Sequence, residues 1–386
     1  MKNLLLFFTS ILLVISICTV GCKKDESAST EPQDPSTNGG TTWKIDTIVP
    51  AGTNAFLPAL AVDKNGNPYI SYLDDNDGYV KYAFKNGTNW SISPVARVAN
   101  SNGTVANGGL SAIALDAANN PHVTYYDYGN GQLKYAKKIG SSWTTIVIPL
   151  PNDPKMSYAS PFIPWADCSI VLDTTTGVAH ISLQMSGGLS GFVLGYWRPG
   201  YAHALIVDSK DGNSGYQNAI ALDASGFPGI SYEARGPGGI TGGHDGFLKY
   251  AHWNGSAFTV DSIASIPAIY WQDHLTSLNF YNNFPHIVYF GQGGYKHSYK
   301  SGASWTSEAI PYTSGYPSLS SSCDGTGKLH LALVGGSMKY FYSNGSSWSS
   351  EAMENNVGRC AIVVDRLGKI HIAYSTDMGV LKYASK

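Results

Sequence analysis

Five histidines occupy matching points of this chain: His122, His180, His286, His330 and His371. An imidazole can ligate a metal or move a proton near neutral pH. Catalysis needs one special constellation, whereas a recurring position gives the same geometry in every copy. The recurrence therefore assigns these imidazoles to structure, as hydrogen-bond partners across the turn that precedes each of them. A recurring acid six or seven residues earlier (Asp63, Asp116, Asp173, Asp223, Asp324, Asp365, with Asn279 standing in once) reads the same way. Its carboxylate accepts backbone N–H groups of its own turn.

Residues that depart from the recurrence are the better candidates for chemistry. Three such stretches exist. PNDPKMSYASPFIPWADC carries Tyr158, Phe162, Trp165 and Asp167. EARGPGGITGGHDG carries Glu233, Arg235, His244 and Asp245. IPAIYWQDHL carries Tyr270, Trp271, Gln272, Asp273 and His274. Aromatic platforms beside carboxylates, imidazoles and a guanidinium suit a polar ligand with apolar faces, as a sugar ring has. The expected ligand-binding set is Tyr158, Trp165, Asp167, Glu233, Arg235, His244, Tyr270, Trp271, Asp273 and His274. If the chain is an enzyme, Arg235, His244, Tyr270 and His274 are its candidate catalytic residues. A smaller acidic group, Asp74, Asp75 and Asp77 with Asp127 after it, is a solvated turn or a calcium site. No other cofactor is expected, and no Cys-x-x-Cys or Cys/His pair suggests zinc.

The elements that position these residues come from a unit repeated seven times. Each copy reads as a small apolar run, the anchor acid, a turn, a His-containing run, a variable loop, an apolar-Lys-Tyr triplet, a short Gly turn and an aromatic-led run. The triplets are Val80-Lys81-Tyr82, Leu133-Lys134-Tyr135, Leu248-Lys249-Tyr250, Met338-Lys339-Tyr340 and Leu381-Lys382-Tyr383, with worn copies at Leu194-Gly195-Tyr196 and Tyr295-Lys296-His297. The leading aromatics are Trp43, Trp90, Trp143, Phe258, Trp305 and Trp348; the third copy lacks one or has moved it. Four short alternating or β-branched runs per copy, parted by Gly, Asn and Asp, predict four antiparallel strands, here A to D. Such a unit is a propeller blade.

The last copy stops after strand C, and the first segment, TTWKIDTIVP, is a D strand without A to C before it. The expectation is an all-β, seven-bladed propeller over 43–386, closed by the N-terminal strand joining the last blade. Closure also removes an exposed sheet edge. Functional loops then belong to the face carrying the D–A and B–C connections, around the central channel. Blades 3 to 5 supply all three irregular stretches. Cys168, Cys323 and Cys360 lie too far apart in depth or around the ring for a disulfide.

Residues 43–386 resemble bacterial seven-bladed propellers of the sialidase-like or BNR type, and AVDKNGNPYISY is similar to an NHL-type blade. The resemblance implies either a glycan-binding propeller or a carbohydrate-active enzyme on an acidic glycan, a polysaccharide lyase or sialidase-like hydrolase. The sialidase Asp box belongs in the C–D turn, and here those turns read KNGTNW, IGSSW and SGASW without the acid. Only five arginines exist, Arg97, Arg198, Arg235, Arg359 and Arg366. Two of them, Arg235 and Arg359, are placed to face the channel mouth, one short of the sialidase triad.

Residues 1–21 resemble a bacterial lipoprotein signal: a basic start, an apolar run from Leu4 to Ile17, then Thr19-Val20-Gly21 before Cys22. The alternative is a plain secretory signal with a chance cysteine. The first reading implies lipidation at Cys22, an outer-membrane location and a membrane anchor. Lys23-Lys24-Asp25-Glu26 is similar to the surface-export tag of Bacteroidetes lipoproteins. Residues 22–42, rich in Ser, Thr, Pro and Gly, then form a tether. A net charge of −2 and a pI near 6.5 argue against nucleic acid as a partner. A glycan or envelope protein, met by a monomer, is expected instead.

Overall fold

The computed structural model describes residues 42–99, 111–158, 167–187, 191–210, 213–236, 246–266, 276–313, 318–345 and 347–386. They form seven antiparallel sheets, each built on four strands in sequence order A to D. Blade 1 spans Ala55–Arg97, blade 2 Ser111–Val147, blade 3 Cys168–Asp208 and blade 4 Ser214–Ile266. Blade 5 spans Thr276–Ala309 and blade 6 Ser318–Asn355. Blade 7 takes strands A to C from Val357–Ser385 and strand D from Lys44–Val49. Lys44 pairs with Ser385, Asp46 with Tyr383 and Val49 with Leu381, so the first strand closes the ring as the repeat count requires. Among the described residues there is no α-helix, and none long and apolar enough to cross a membrane.

Strand B of every blade is buried almost throughout, as in Pro121–Asp127 and Ile370–Thr376, because it has a neighbour on each side and a blade on each face. Strand D faces outward and keeps its exposed positions, as in Ser142–Val147. Core tyrosines Tyr72, Tyr125, Tyr232, Tyr289 and Tyr374 recur at one point of strand B and are almost fully buried.

Blade joins next to one another are made by aromatic edges. The D-strand aromatic of one blade meets the Lys-Tyr tyrosine, or its substitute, of the blade before. Trp90 meets Tyr383 at 5.3 Å, Trp143 meets Tyr82 at 5.7 Å and Phe258 meets Tyr196 at 5.3 Å. Trp305 meets Tyr250 at 5.4 Å, Trp348 meets His297 at 6.1 Å and Trp43 meets Tyr340 at 5.2 Å. Each is an edge-to-face contact, the favoured geometry for aromatic pairs. The aromatic absent from strand D of blade 3 has moved to the end of its strand C. Trp197 meets Tyr135 at 6.0 Å and completes the circle.

Three of these joins carry a carboxylate as well. Asp46 accepts from Trp90 and Lys85, Asp261 from Trp305 and Lys300, and Glu351 from Trp43 and Lys386.

Candidate functional site

The repeated polar residues form hydrogen-bonded chains inside the blades, complete in blades 6 and 7. The anchor acid satisfies its own A–B turn: Asp365 Oδ1 accepts the Leu367 and Lys369 amides at 2.8 and 2.9 Å. The histidine connects that acid to the tyrosine of the Lys-Tyr triplet. His371 lies 3.2 Å from Asp365 Oδ2 through Nε2 and 2.6 Å from the Tyr383 hydroxyl through Nδ1. His330 repeats the pair with Asp324 and Tyr340 at 3.3 and 2.6 Å. His122 and His180 bind Tyr135 and Tyr196 at 2.6 and 2.7 Å. Burial pushes the imidazole pKa of His122, His180 and His286 down to about 4. These Asp–His–Tyr chains resemble catalytic relays in composition, but they are buried and repeated, which fits a scaffold. The tyrosine partner was not foreseen from sequence; the available signal was that each strand-B histidine is followed by a strand-C triplet, with the tyrosine 10 to 16 residues on in four blades.

Blades 1, 4 and 5 depart from this chain, and blade 1 carries Tyr69 where the histidine would stand. Blade 4 has Gly229 where the histidine would stand, and a Cβ there would sit 2.8 Å from the Tyr250 hydroxyl. His252 on the neighbouring strand C reaches Asp223 instead, at 3.0 Å. Blade 5 lacks the acid, and its hairpin closes on Asn282 and Asn283, both at positive φ. Two such residues in a two-residue loop match the twist of the strands they join.

The acidic turn of blade 1 is neutralised by a lysine: Lys81 bridges Asp74 at 2.7 Å and Asp77 at 2.5 Å. Asp127 is likewise held by Lys134 at 2.6 Å. Among the described residues no cluster of His, Cys, Asp and Glu could hold a metal ion. Cys168, Cys323 and Cys360 are free thiols.

Of the expected ligand-binding residues, Trp165, His244, Tyr270, Trp271, Asp273 and His274 lie outside the described residues, as do Phe162, Asp245 and Gln272. Of the four candidate catalytic residues, Arg235 alone is therefore among the described residues. The signal segment, Cys22 and most of the tether, residues 1–41, lie outside as well. Tyr158 is described and serves the fold. Its strand pairs beside Met185, and its hydroxyl donates to the Ile148 carbonyl at 2.7 Å.

Asp167, Glu233 and Arg235 do come together, and Arg359 joins them. Asp167 precedes strand A of blade 3, Glu233 and Arg235 end strand B of blade 4, and Arg359 begins strand A of blade 7. All four lie at the face carrying the D–A and B–C connections, the upper mouth of the channel. Arg235 Nε donates to Glu233 Oε1 at 2.7 Å, and its guanidinium lies 4.4 Å over the Tyr216 ring. Asp167 and Glu233 are 2% and 1% exposed, so both carboxyls are out of water.

A backbone irregularity builds this corner. The A strand of blade 4 slips register on either side of Tyr216, and Gln217 sits at φ 51°. That bulge turns the Gln217 amide toward Asp167, whose Oδ2 accepts it. Bulges recur where a protein must re-aim a group at a site. Burial pushes the Asp167 carboxyl up to about 7, against the pull of the Gln217 amide and of Arg359. Burial also lowers the Arg359 guanidinium to about 9, with Asp167 opposing that shift. Asp167 Oδ1, the Gln184 side-chain amide and the Tyr216 hydroxyl are buried with no hydrogen-bond partner among the described residues. Buried polar atoms left so are costly and uncommon. Gln184 and Tyr216 were missed from sequence because both stand inside strands, where side chains read as packing.

Between the two faces the seven A strands enclose a channel of about 270 Å³, lined by small residues such as Ala59, Ser111, Ser169, Ala219 and Ser320.

No protein-family model matches the chain, and no curated protein matches its sequence. Solved structures share the fold. A catalytically inactive virginiamycin B lyase from Staphylococcus aureus, solved with quinupristin, aligns at TM-score 0.54 and 10% identity, over 89% of this chain and all of that one. An α-L-arabinanase from Penicillium chrysogenum, complexed with arabinobiose, aligns at TM-score 0.50 and 10% identity, over 89% of this chain and 98% of its own. A lectin in complex with α-methyl fucoside aligns at TM-score 0.46 and 14% identity, over 79% and 97%. At these identities the likeness establishes the propeller fold alone.

Proposed function

We propose that this chain is an envelope lipoprotein, anchored through Cys22, whose propeller binds a glycan outside the cell at the upper mouth of blades 3 to 5. The observation that carries the reading is the set of buried polar atoms on Asp167, Gln184 and Tyr216 that have no partner among the described residues, beside the Arg235–Glu233 pair. A hydroxyl-rich ligand entering the mouth supplies donors to Asp167 Oδ1 and both donors and acceptors to Gln184 and Tyr216. In this reading Trp165 and Trp271, taken from the irregular stretches of the sequence, are the apolar platforms for sugar rings.

The test is retention of the full chain on a glycan array, with Tyr216→Phe and the double variant Trp165→Ala/Trp271→Ala beside it. The expected result is a defined set of retained glycans, lost or weakened in both variants. Equal retention by all three proteins would remove the upper mouth as the site. Lipidation is tested separately: labelled palmitate should enter the wild-type chain in a Gram-negative host and not Cys22→Ala.

One observation favours a second reading, a carbohydrate-active enzyme on an acidic glycan. Asp167, near pKa 7 beside Arg359 and Arg235, is a carboxyl able to give or take a proton at neutral pH. That reading expects turnover of a uronate polymer or sialoside with an inflection near pH 7, abolished in Asp167→Asn. Binding without turnover across such a panel leaves the first reading alone.

A further inference from the structure

A second cavity lies at the opposite end of the channel, where the A–B turns converge. It has a volume of about 690 Å³, within the range of roughly 300–1,000 Å³ typical of small-molecule sites. It lies mainly between the same three blades that are irregular above, with Cys323 of blade 6 completing the lining, and its walls share no residue with the upper mouth.

Its shape follows from three local departures. Blade 3 has a longer turn, Asp173 to Gly177, in which Thr174 and Thr175 are exposed. Asp173 Oδ1 accepts the Thr175 amide at 2.8 Å and Oδ2 the Thr176 hydroxyl at 2.6 Å, so the turn is held by its acid. Blade 4 contributes Ser225, exposed on a turn whose Ala224 amide is tied to Asn283 of blade 5 at 2.9 Å. Blade 5 replaces the acid turn by a continued ladder, Phe280 opposite Pro285 and Tyr281 opposite Phe284. Phe280 thereby stands as a half-buried wall where other blades present a turn.

The lining sets the chemistry. It holds hydroxyls on Thr174, Thr175 and Ser225, carboxylates on Asp173 and Asp223, one aromatic ring, and no lysine or arginine. Asp173 is held below the usual carboxylate range, first by the Thr176 hydroxyl, so the mouth is negative at neutral pH. Such a surface rejects uronates and other anions. It offers acceptors to sugar hydroxyls and a ring to an apolar sugar face. We propose that this lower mouth is a binding site for an uncharged oligosaccharide, separate from the upper one.

The test is isothermal titration calorimetry of the full chain with cellotetraose, xylotetraose, mannotetraose and tetragalacturonate. At least one neutral tetramer should bind, and tetragalacturonate should compete with none of that binding. Ser225→Arg, which fills the cavity from an exposed turn, should weaken the neutral ligand by about tenfold or more. Phe280→Ala should act in the same direction, with circular dichroism showing both variants folded. Ile139→Ser, at an exposed strand end of blade 2 outside both mouths, should leave this isotherm unchanged. Failure of every neutral tetramer to bind overturns the proposal, as does binding that survives Ser225→Arg. Tighter binding of spermidine than of any neutral tetramer would also overturn it, since the acids alone would then explain the site.

Discussion

Two sets of buried polar groups lie within this ring and differ in one respect. In the Asp365–His371–Tyr383 chain and its copy Asp324–His330–Tyr340, hydrogen bonds run unbroken from turn amides to carboxylate to imidazole to phenol. At the upper mouth, Asp167 Oδ1, the Gln184 amide and the Tyr216 hydroxyl lack partners among the described residues. A satisfied network stiffens the fold, while an unsatisfied one is retained at a cost in stability. The contrast separates scaffold from site more sharply than residue type does, because the scaffold holds the residues that look catalytic.

Acid should break the comparison most strongly. The unfolded chain binds protons on its histidines below about pH 6.5. His122, His180 and His286 stay neutral in the folded chain until about pH 4. Their contribution is fully present above pH 6.5 and is lost as pH falls toward 4. Urea titrations at stepped pH should therefore show stability falling by on the order of 5 kcal/mol or more across that window. A flat profile would mean these imidazoles are hydrated in solution. The anchor acids follow lower down: Asp116 and Asp324, held at about 2, give up their contribution only below about pH 4.

His371→Ala comes next. It strands a carboxylate and a phenol inside the closing blade, and a loss of about 2–4 kcal/mol is expected in denaturant midpoints. The smallest effect is the most pointed, because its sign differs between the two sets. Tyr383→Phe should destabilise by about 1 kcal/mol, whereas Tyr216→Phe should leave stability equal or raise it by about the same amount. Two losses of equal size would erase the distinction between scaffold and site.

The fold was legible because its period is written in residues that do mechanical work. The Lys-Tyr triplet and the D-strand aromatic build the joins between blades, so counting them counts blades. The truncated last copy and the orphan first strand forecast the pairing of Lys44–Val49 with Leu381–Ser385. Substitutions that keep an interaction while moving its residue were not legible. Trp197 does the work of a missing D-strand aromatic, and His252 that of a missing strand-B histidine. The site was partly legible. Irregular stretches pointed to Asp167, Glu233 and Arg235, which the fold does bring together. Arg359 approaches Asp167 only because blade 7 lies across the channel from blade 3, a relation the linear order conceals. The lower cavity was missed for another reason: Asp173 and Asp223 read as ordinary anchor acids of the repeat, and an ordinary copy carries no mark of what its turn encloses.

The strand that shuts the ring has a mechanical consequence. Lys44–Val49 is both the outermost strand of the last blade and the first described strand after the N-terminal segment. Any pull on the chain through its N-terminal tail enters the molecule at Trp43, which is wedged on Tyr340 and hydrogen-bonded to Glu351. The load then falls on that seam to blade 6 and on the short ladder to Leu381–Ser385. Under tension this clasp is the fuse: while it holds, the seven blades stay a closed ring, and once it slips the circle has two loose edges.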